Sequence, residues 1–409
     1  MRACRALILS LAAASASSQA QERELELLHW WTAGSEAAMV GELRQRALKA
    51  GLPLKASAVA GASNANTVLK TRFLSGQPPA LAQTDKSVRV WGEAVPLADL
   101  GPAVALAFAD LPHAVAAELR YEKRPVAVPL NVHRLNMLWS NLRLLREQGL
   151  AVPSDWDAFH RTAAALQQRG VLPLAIGSSA GQKLSLFVGV VLGRAGRDFF
   201  ERALVQADPR LLQGEQMRGL LAEFRRLKRY TDSGQVSRDW AGATALLLQG
   251  KAAFQLSGDW VNGEFQKAGW QVGQDYDCSP APGHGRLHYF EFDRLIFFAT
   301  PEPAQAEQQR RLASLLLQPQ ASSRLAQLKG GIPVRRDAGL EGFNACAQQS
   351  AEDFRAGDAR GQLVLALSAR LGESAYGGMR DVLSAFWASE RMTAEQAQKR
   401  LAQALTARD

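Results

Sequence analysis

The stretch LELLHWWTAGSE, residues 25–36, carries a strand's alternation from Leu25 to Trp30 and then breaks off. Glu36 to Lys49 follows with apolar residues at helical spacing, and Leu54 to Val59 returns to strand. Strand, helix and strand in that order predict an α/β chain. Trp30 and Trp31 meet at the end of the first strand, directly after His29. Successive side chains leave a strand on opposite faces, so the two indoles cannot both enter one core face. At least one is expected to face a cleft. The plainer alternative is a pair of core tryptophans bridging helix and sheet.

The same rhythm continues outward. A helix is expected from Asn64 to Leu74, stopped by Gly76, with Pro78 and Pro79 ahead of a short strand at 80–83 and a helical segment from Val88. Residues 125–139, PVAVPLNVHRLNMLW, read as two extended apolar pieces that cross between lobes, with Pro129 excluded from a central ladder position. Helices follow at about 141–148 and 155–168, the second opened by Ser154 with Asp157 three residues on as a capping box. A buried strand is expected at 172–176, an amphipathic helix at 214–230, a helix near 240–249 and a strand at 252–257 that runs into Gly258-Asp259-Trp260. Leu287 to Ala299 reads as a strand pair, helices at 304–316 and 318–328 end at Gly330-Gly331, and 347–407 reads as almost wholly helical.

Arg2 and Arg5, the apolar run Ala6 to Ala16, and the small residues Ser18 and Ala20 form the pattern of a cleavable secretory signal over residues 1–20. Its removal from 409 residues leaves 389, more than one hydrophobic core usually serves, so two domains are expected. It also lowers the formal charge from +9 to +7, spread without a block of like charges, which argues against nucleic acid as a partner. Cys278 and Cys346 remain, and in an oxidising compartment such an isolated pair is expected to form a disulfide.

Indole faces beside carboxylates and a lysine suit a saccharide, whose C–H faces pack on aromatics while its hydroxyls take charged partners. At this point the chain resembles the periplasmic solute-binding proteins of ATP-binding-cassette sugar importers, in particular the glucose-binding type. The resemblance rests on LELLHWWTAGSE, TVLKTRFLSGQPPALAQ, VAVPLNVHRLNMLWSN, RDWAGATALLLQGKAAFQLSGDW, QDYDC, LKGGIPVRRD and FNACAQ, in that order along nearly the whole mature chain. It implies a type II, maltose-binding-protein-like fold of two α/β lobes flanking a ligand cleft. The first lobe is expected from 21–130 plus 288–335, and the second, helix-rich lobe from 131–287 plus 336–409. It implies a monomeric periplasmic protein that closes on a monosaccharide, a glucose-like aldose, and delivers it to an inner-membrane permease. A related possibility is a sugar-binding paralogue that feeds a membrane sensor.

Position by position, the resemblance implies ligand contacts from Trp30, Trp31, Glu36, Trp260, Asp293 and Lys329. Lys86 is a weaker match, because AQTDKSVRVWG is one residue shorter than the family's segment and Asp85 competes for the same place. Two departures stand out. The histidine the family carries in its C-terminal helical region is absent near Ser368 and Ala369, and the loop Gly177 to Gln182 lacks the family's aromatic residue.

No cofactor and no metal site is expected, since the histidines are scattered and no acidic ligand has diagnostic spacing. Gly177-Ser178-Ser179-Ala180-Gly181 does satisfy G-x-S-x-G between a strand and a helix, with His284 and His288 downstream. That leaves a hydrolase as a minor alternative. Glu291, which shares a strand face with Asp293, reads by default as solvated, and Lys329 alone could serve the dipole of its helix C-terminus.

Overall fold

In the computed structural model the chain is described over residues 24–407, apart from residue 33. The expected signal segment, 1–20, lies outside the described residues. Strand β1 (Leu25–His29) buries Leu25, Leu27 and Leu28, and the Glu26 carboxylate is held by both terminal guanidinium nitrogens of Arg72 at 2.7–2.8 Å. It pairs in parallel with β2 (Leu54–Ala58) and β3 (Leu81–Gln83), and the helix Gly34–Lys49 provides the crossover. Strands β4 (Arg120–Tyr121) and β5 (Arg124–Pro125) make a small hairpin. Then β6 (Ala127–Arg134) runs antiparallel to β11 (His288–Phe297), which also pairs with β3 and with β12 (Leu363–Leu365). The first sheet has the order β12-β11-β3-β1-β2, with β6 on β11.

The second sheet, β10-β7-β9-β8, contains β7 (Met137–Asn141), β8 (Leu172–Leu174), β9 (Ala252–Ser257) and β10 (Tyr276–Pro280). Only Leu135 and Asn136 separate β6 in one sheet from β7 in the other. The segment expected to cross between lobes therefore does so within two residues. Asn136 pins the crossing by donating to Leu287 O at 2.8 Å and accepting from Tyr289 N at 3.1 Å, where the chain returns to the first sheet.

Each sheet organises its own core. The first lobe's core is built from β1, β3, β6 and β11 with helices such as Pro303–Leu316. The second sheet buries Leu138 and Phe254 against the helices Ala180–Phe200, Glu215–Leu227 and Glu373–Ala388, and Met137 and Trp139 on its opposite face. In Glu215–Leu227 the residues Met217, Leu220, Leu221, Phe224 and Leu227 form one buried stripe at helical spacing. Each such side chain contributes about 1.5–3 kcal/mol on full burial. This is a two-lobed α/β fold.

Several sequence expectations are corrected. The boundary at 335 does not follow the packing, because Phe343, Ala347, Ala351 and Phe354 join the first core. The change comes at β12, where Leu363 and Leu365 face the first core and Val364 the second. Strand β12 also interrupts the region expected to be helical throughout. Residues 288–297 form one strand rather than a pair, since both halves pair with β6. The helix Trp156–Gln168 is capped by Asp155, whose carboxylate accepts the Ala158 N–H at 2.8 Å, and not by Ser154. Pro129, expected to be kept from a central ladder position, lies on β6, which among the named strands pairs with β11 alone, and stands opposite Arg294 where the register shifts.

The disulfide Cys278–Cys346 is present, with a Cα–Cα distance of 6.0 Å. It joins β10 of the second sheet to the helix Ala345–Arg360, which packs on the first core, and so fastens the two lobes together. Closing a loop of 68 residues removes unfolded-chain entropy worth about 4 kcal/mol. The double variant Cys278→Ser, Cys346→Ser is expected to lose about that much stability in urea unfolding. A loss below about 1 kcal/mol would show that the loop is restrained by other means.

Candidate functional site: a cavity between the lobes

A cavity of about 220 Å³ lies where the sheets meet. The first lobe supplies Trp30, Glu36, Asp85, Asp293 and Lys329 to its walls, and the other side supplies Trp240, Trp260 and Ser368. Trp30 follows the last residue of β1, and its backbone N–H donates to Gln83 Oε1 at 3.0 Å. Gln83 in turn donates from Nε2 to Asp293 Oδ1 at 3.4 Å, so one amide sets the positions of an indole and a carboxylate. Glu36 stands in the first turn of its helix, where a carboxylate complements the dipole. It accepts from Thr32 N at 2.9 Å and from Lys329 Nζ at 2.7 Å. Lys329 ends the helix Pro319–Lys329, and Gly330 terminates it in the left-handed region at φ 88°. The lysine is thus a partner of Glu36 and not merely a dipole counter-charge.

Trp260 is shaped by Gly258. A Cβ at position 258 would lie 2.3 Å from the indole, so only glycine lets the ring fold back over the strand end. The indole meets Trp240 and His133 edge-on, at centroid distances of 6.4 and 5.5 Å.

Beneath the cavity, His133 on β6 stands between carboxylates from both sides. Its Nδ1 is 2.5 Å from Asp259 Oδ1, and its Nε2 is 3.2 Å from Asp293 Oδ2. Asp259 also accepts the Arg134 N–H at 2.9 Å. Burial alone would depress the imidazole, but the two carboxylates outweigh it and hold the His133 pKa up to about 10. Burial would likewise raise Asp293, yet the charges of Lys329 and His133 hold it down to about 2. Burial raises Glu291 to about 7, with the charge of His133 offsetting part of the shift and the Asp293 and Asp85 carboxylates adding to it.

Of the seven residues expected at the site, Trp30, Glu36, Trp260, Asp293 and Lys329 line this cavity. Trp31 and Lys86 do not, and both expectations are corrected. Trp31 is 1% exposed and packs in the first core, with its ring 5.8 Å from that of His29. The strand alternation that turns Trp30 out turns Trp31 in. Lys86 N donates to Thr84 Oγ1 at 3.0 Å, a turn that leaves Asp85 on the cavity side and sends Lys86 outward over the Tyr376 ring.

Sequence reasoning gave no site role to His133, Trp240 or Arg294, read Glu291 as solvated, and reached Ser368 only as the place of an absent histidine. The phase shared by Glu291 and Asp293 was a usable signal, because the face they occupy is the cleft wall and not open solvent. Arg294 lines the wall next to Asp293, at the register shift where Leu130 of β6 has no partner on β11. It is 2% exposed, its guanidinium lies 4.2 Å from the Phe292 ring centroid, and Nε and Nη1 have no partner among the described residues.

This wall alternates acceptors and donors around three indoles, the arrangement that hydroxyl groups require because each both gives and takes a hydrogen bond. The G-x-S-x-G segment offers no nucleophile. Ser179 Oγ caps the helix Ala180–Phe200 by accepting from Gln182 N at 3.2 Å, and His284 is bonded instead to Gly189 O at 2.7 Å. His288 is fully buried among Phe290 and Phe354. No group of three or more metal-ligating side chains occurs among the described residues.

The family model for bacterial extracellular solute-binding proteins matches residues 46–287. A probable sugar-binding periplasmic protein of Brucella melitensis is 31% identical over 83% of this chain and 82% of its own length. A solved structure from work on xylan utilisation by Caldanaerobius polysaccharolyticus superposes with a TM-score of 0.80 at 16% identity, over 93% of this chain and 99% of that one. The bacterial solute receptor AcbH superposes with a TM-score of 0.78 at 15% identity, over 93% and 97%.

Raising the imidazole from its ordinary value of 6.5 to about 10 means that the charged form stabilises the fold. That contribution is complete below pH 6.5 and is lost as pH rises through the folded value. NMR titration is therefore expected to show His133 unchanged between pH 5 and pH 8.5, with its midpoint near 10. His284, pushed down by burial to about 4, should stay neutral over the same range. A His133 midpoint near 6.5 would contradict the bridged geometry.

Proposed function

The chain belongs to the bacterial extracellular solute-binding proteins, and we propose from this that it is a periplasmic sugar-binding component of an ATP-binding-cassette importer whose interlobe cavity takes one ring of a glucose-like aldose. The observation that carries this reading is the convergence of Trp30 and Trp260 from opposite sides, with Glu36, Asp293 and Lys329, on a cavity of about 220 Å³. Space for about seven waters at ~30 Å³ each lies below the ~300–1,000 Å³ range of drug-sized ligands. A single pyranose ring is of that order.

The roles follow from the geometry. Trp30 packs on an apolar face of the ring, and Trp260 closes on it from the other lobe. Asp293 and Glu36 accept from ring hydroxyls, while Lys329 and Arg294 donate to ring oxygens. No bond in the sugar changes, so the protein is a binder and not an enzyme. The short crossing at Leu135–Asn136 serves as the hinge on which the lobes close. Closure then presents a monomer with both lobes aligned to the permease. The family membership and the sugar-binding relatives support this assignment.

Micromolar binding corresponds to about −8 kcal/mol, within reach of one stacked face and several charge-assisted hydrogen bonds after ordering costs. Trp30→Ala is expected to weaken glucose binding by about 2 kcal/mol or more, roughly thirtyfold in Kd, with the circular dichroism spectrum unchanged. Calorimetric titration of the mature protein measures it. Glucose affinity that survives the substitution would overturn the cavity assignment.

A further inference from the structure

A second cavity, also of about 220 Å³, abuts the first. The two share Trp240, Trp260, Glu291 and Ser368 in their walls. Beyond that partition the second chamber is bounded by the helix start at Ser179–Ser185 and by Ser257, Tyr289 and Tyr376. Small side chains at Ser179, Gly181 and Ser185 leave the space open. Its polar groups are incompletely used within the fold. Ser257 is 3% exposed and its hydroxyl has no partner among the described residues. The indole N–H of Trp260, in the shared wall, is also buried without one. Buried polar groups left unsatisfied are destabilising unless a ligand or water meets them.

The chemistry of the walls defines what fits. Aromatic rings alternate with hydroxyls and the Gln182 amide, and none of the lining residues is a lysine, arginine or histidine. An anionic substituent would meet no cation in the wall itself and would face Glu291. A neutral polyhydroxylated group meets aromatic faces and hydroxyl partners together.

We infer that the second chamber is a binding subsite for a neutral second sugar ring, joined to the ring in the first chamber across the wall formed by Trp260 and Glu291. This rests on the sugar-binding reading of the first chamber and extends its ligand from one ring to two. Glu291, facing both chambers, stands where the linking oxygen would pass. Held near pH 7 by burial, its carboxyl is partly protonated at neutral pH and so able to donate as well as accept.

Titration calorimetry with glucose, maltose, cellobiose and trehalose tests the assignment on the mature wild-type protein and on Gly181→Phe, Ser185→Phe and Trp30→Ala. A Cβ at Gly181 would meet only Ser179 Oγ, at 3.9 Å, so a ring there extends into free space. Neither Gly181 nor Ser185 borders the first chamber. At least one disaccharide is expected to bind about tenfold more tightly than glucose, and both filling variants are expected to abolish that gain while glucose affinity holds. Retained glucose binding also reports that each variant is folded. Should Gly181→Phe lose glucose as well, Ser185→Phe decides. No disaccharide preference in the wild type, or a preference that survives both filled chambers, overturns the second subsite alone. Sugar binding indifferent to Trp30→Ala, or absent altogether, overturns the first-chamber reading and this one with it.

Discussion

One imidazole shared by two carboxylates is the interaction on which the site depends. Asp259 follows the end of the second sheet's β9, Asp293 lies on the first sheet's β11, and His133 reaches both from the strand just before the crossing. A buried charge is costly unless it is paired and bonded, and here each partner compensates the other. Removing any one would leave an uncompensated ion beneath the cavity floor. The same network orients Asp293, which Gln83 then ties to the backbone of Trp30. Ligand groups and interlobe contacts are thus one connected set.

The covalent structure reinforces the same line. Two residues separate the last position in one sheet from the first in the other, and Asn136 fastens them to the returning strand. Arg134, buried beside the crossing, donates to Asp353 Oδ2 at 2.8 Å on the helix that also carries Cys346. The disulfide closes from that helix to β10. These contacts tie the two lobes together beside the crossing. Of the two departures from the glucose-binding pattern, the loop 177–182 borders the second chamber and Ser368 stands in the wall shared by both chambers.

Much of this was legible from residue order. The α/β rhythm, the two-lobed organisation, the crossing near residue 135 and the cysteine pair follow from local patterns, because periodicity and turn chemistry act over a few residues, and resemblance named five residues that line the cavity. Trp31 and Lys86 failed for a local reason. Adjacent positions on a strand end or a turn point opposite ways, and sequence does not say which side is the cleft. Glu291 was read as solvated, and His133 and Arg294 were not singled out, because their surroundings depend on partners 126 to 160 residues away or on a register shift between strands.

Sequence by itself determined the chain's elements, its class and the chemical types available for a sugar site, since these depend on composition and near-neighbour spacing. Tertiary structure alone decided which indole faces the cavity, that Asp85 and not Lys86 borders it, and that a second chamber lies behind Trp260. Those outcomes arise where strands distant in the chain converge, and only the packed fold sets the distances at which charges pair and space is left unfilled.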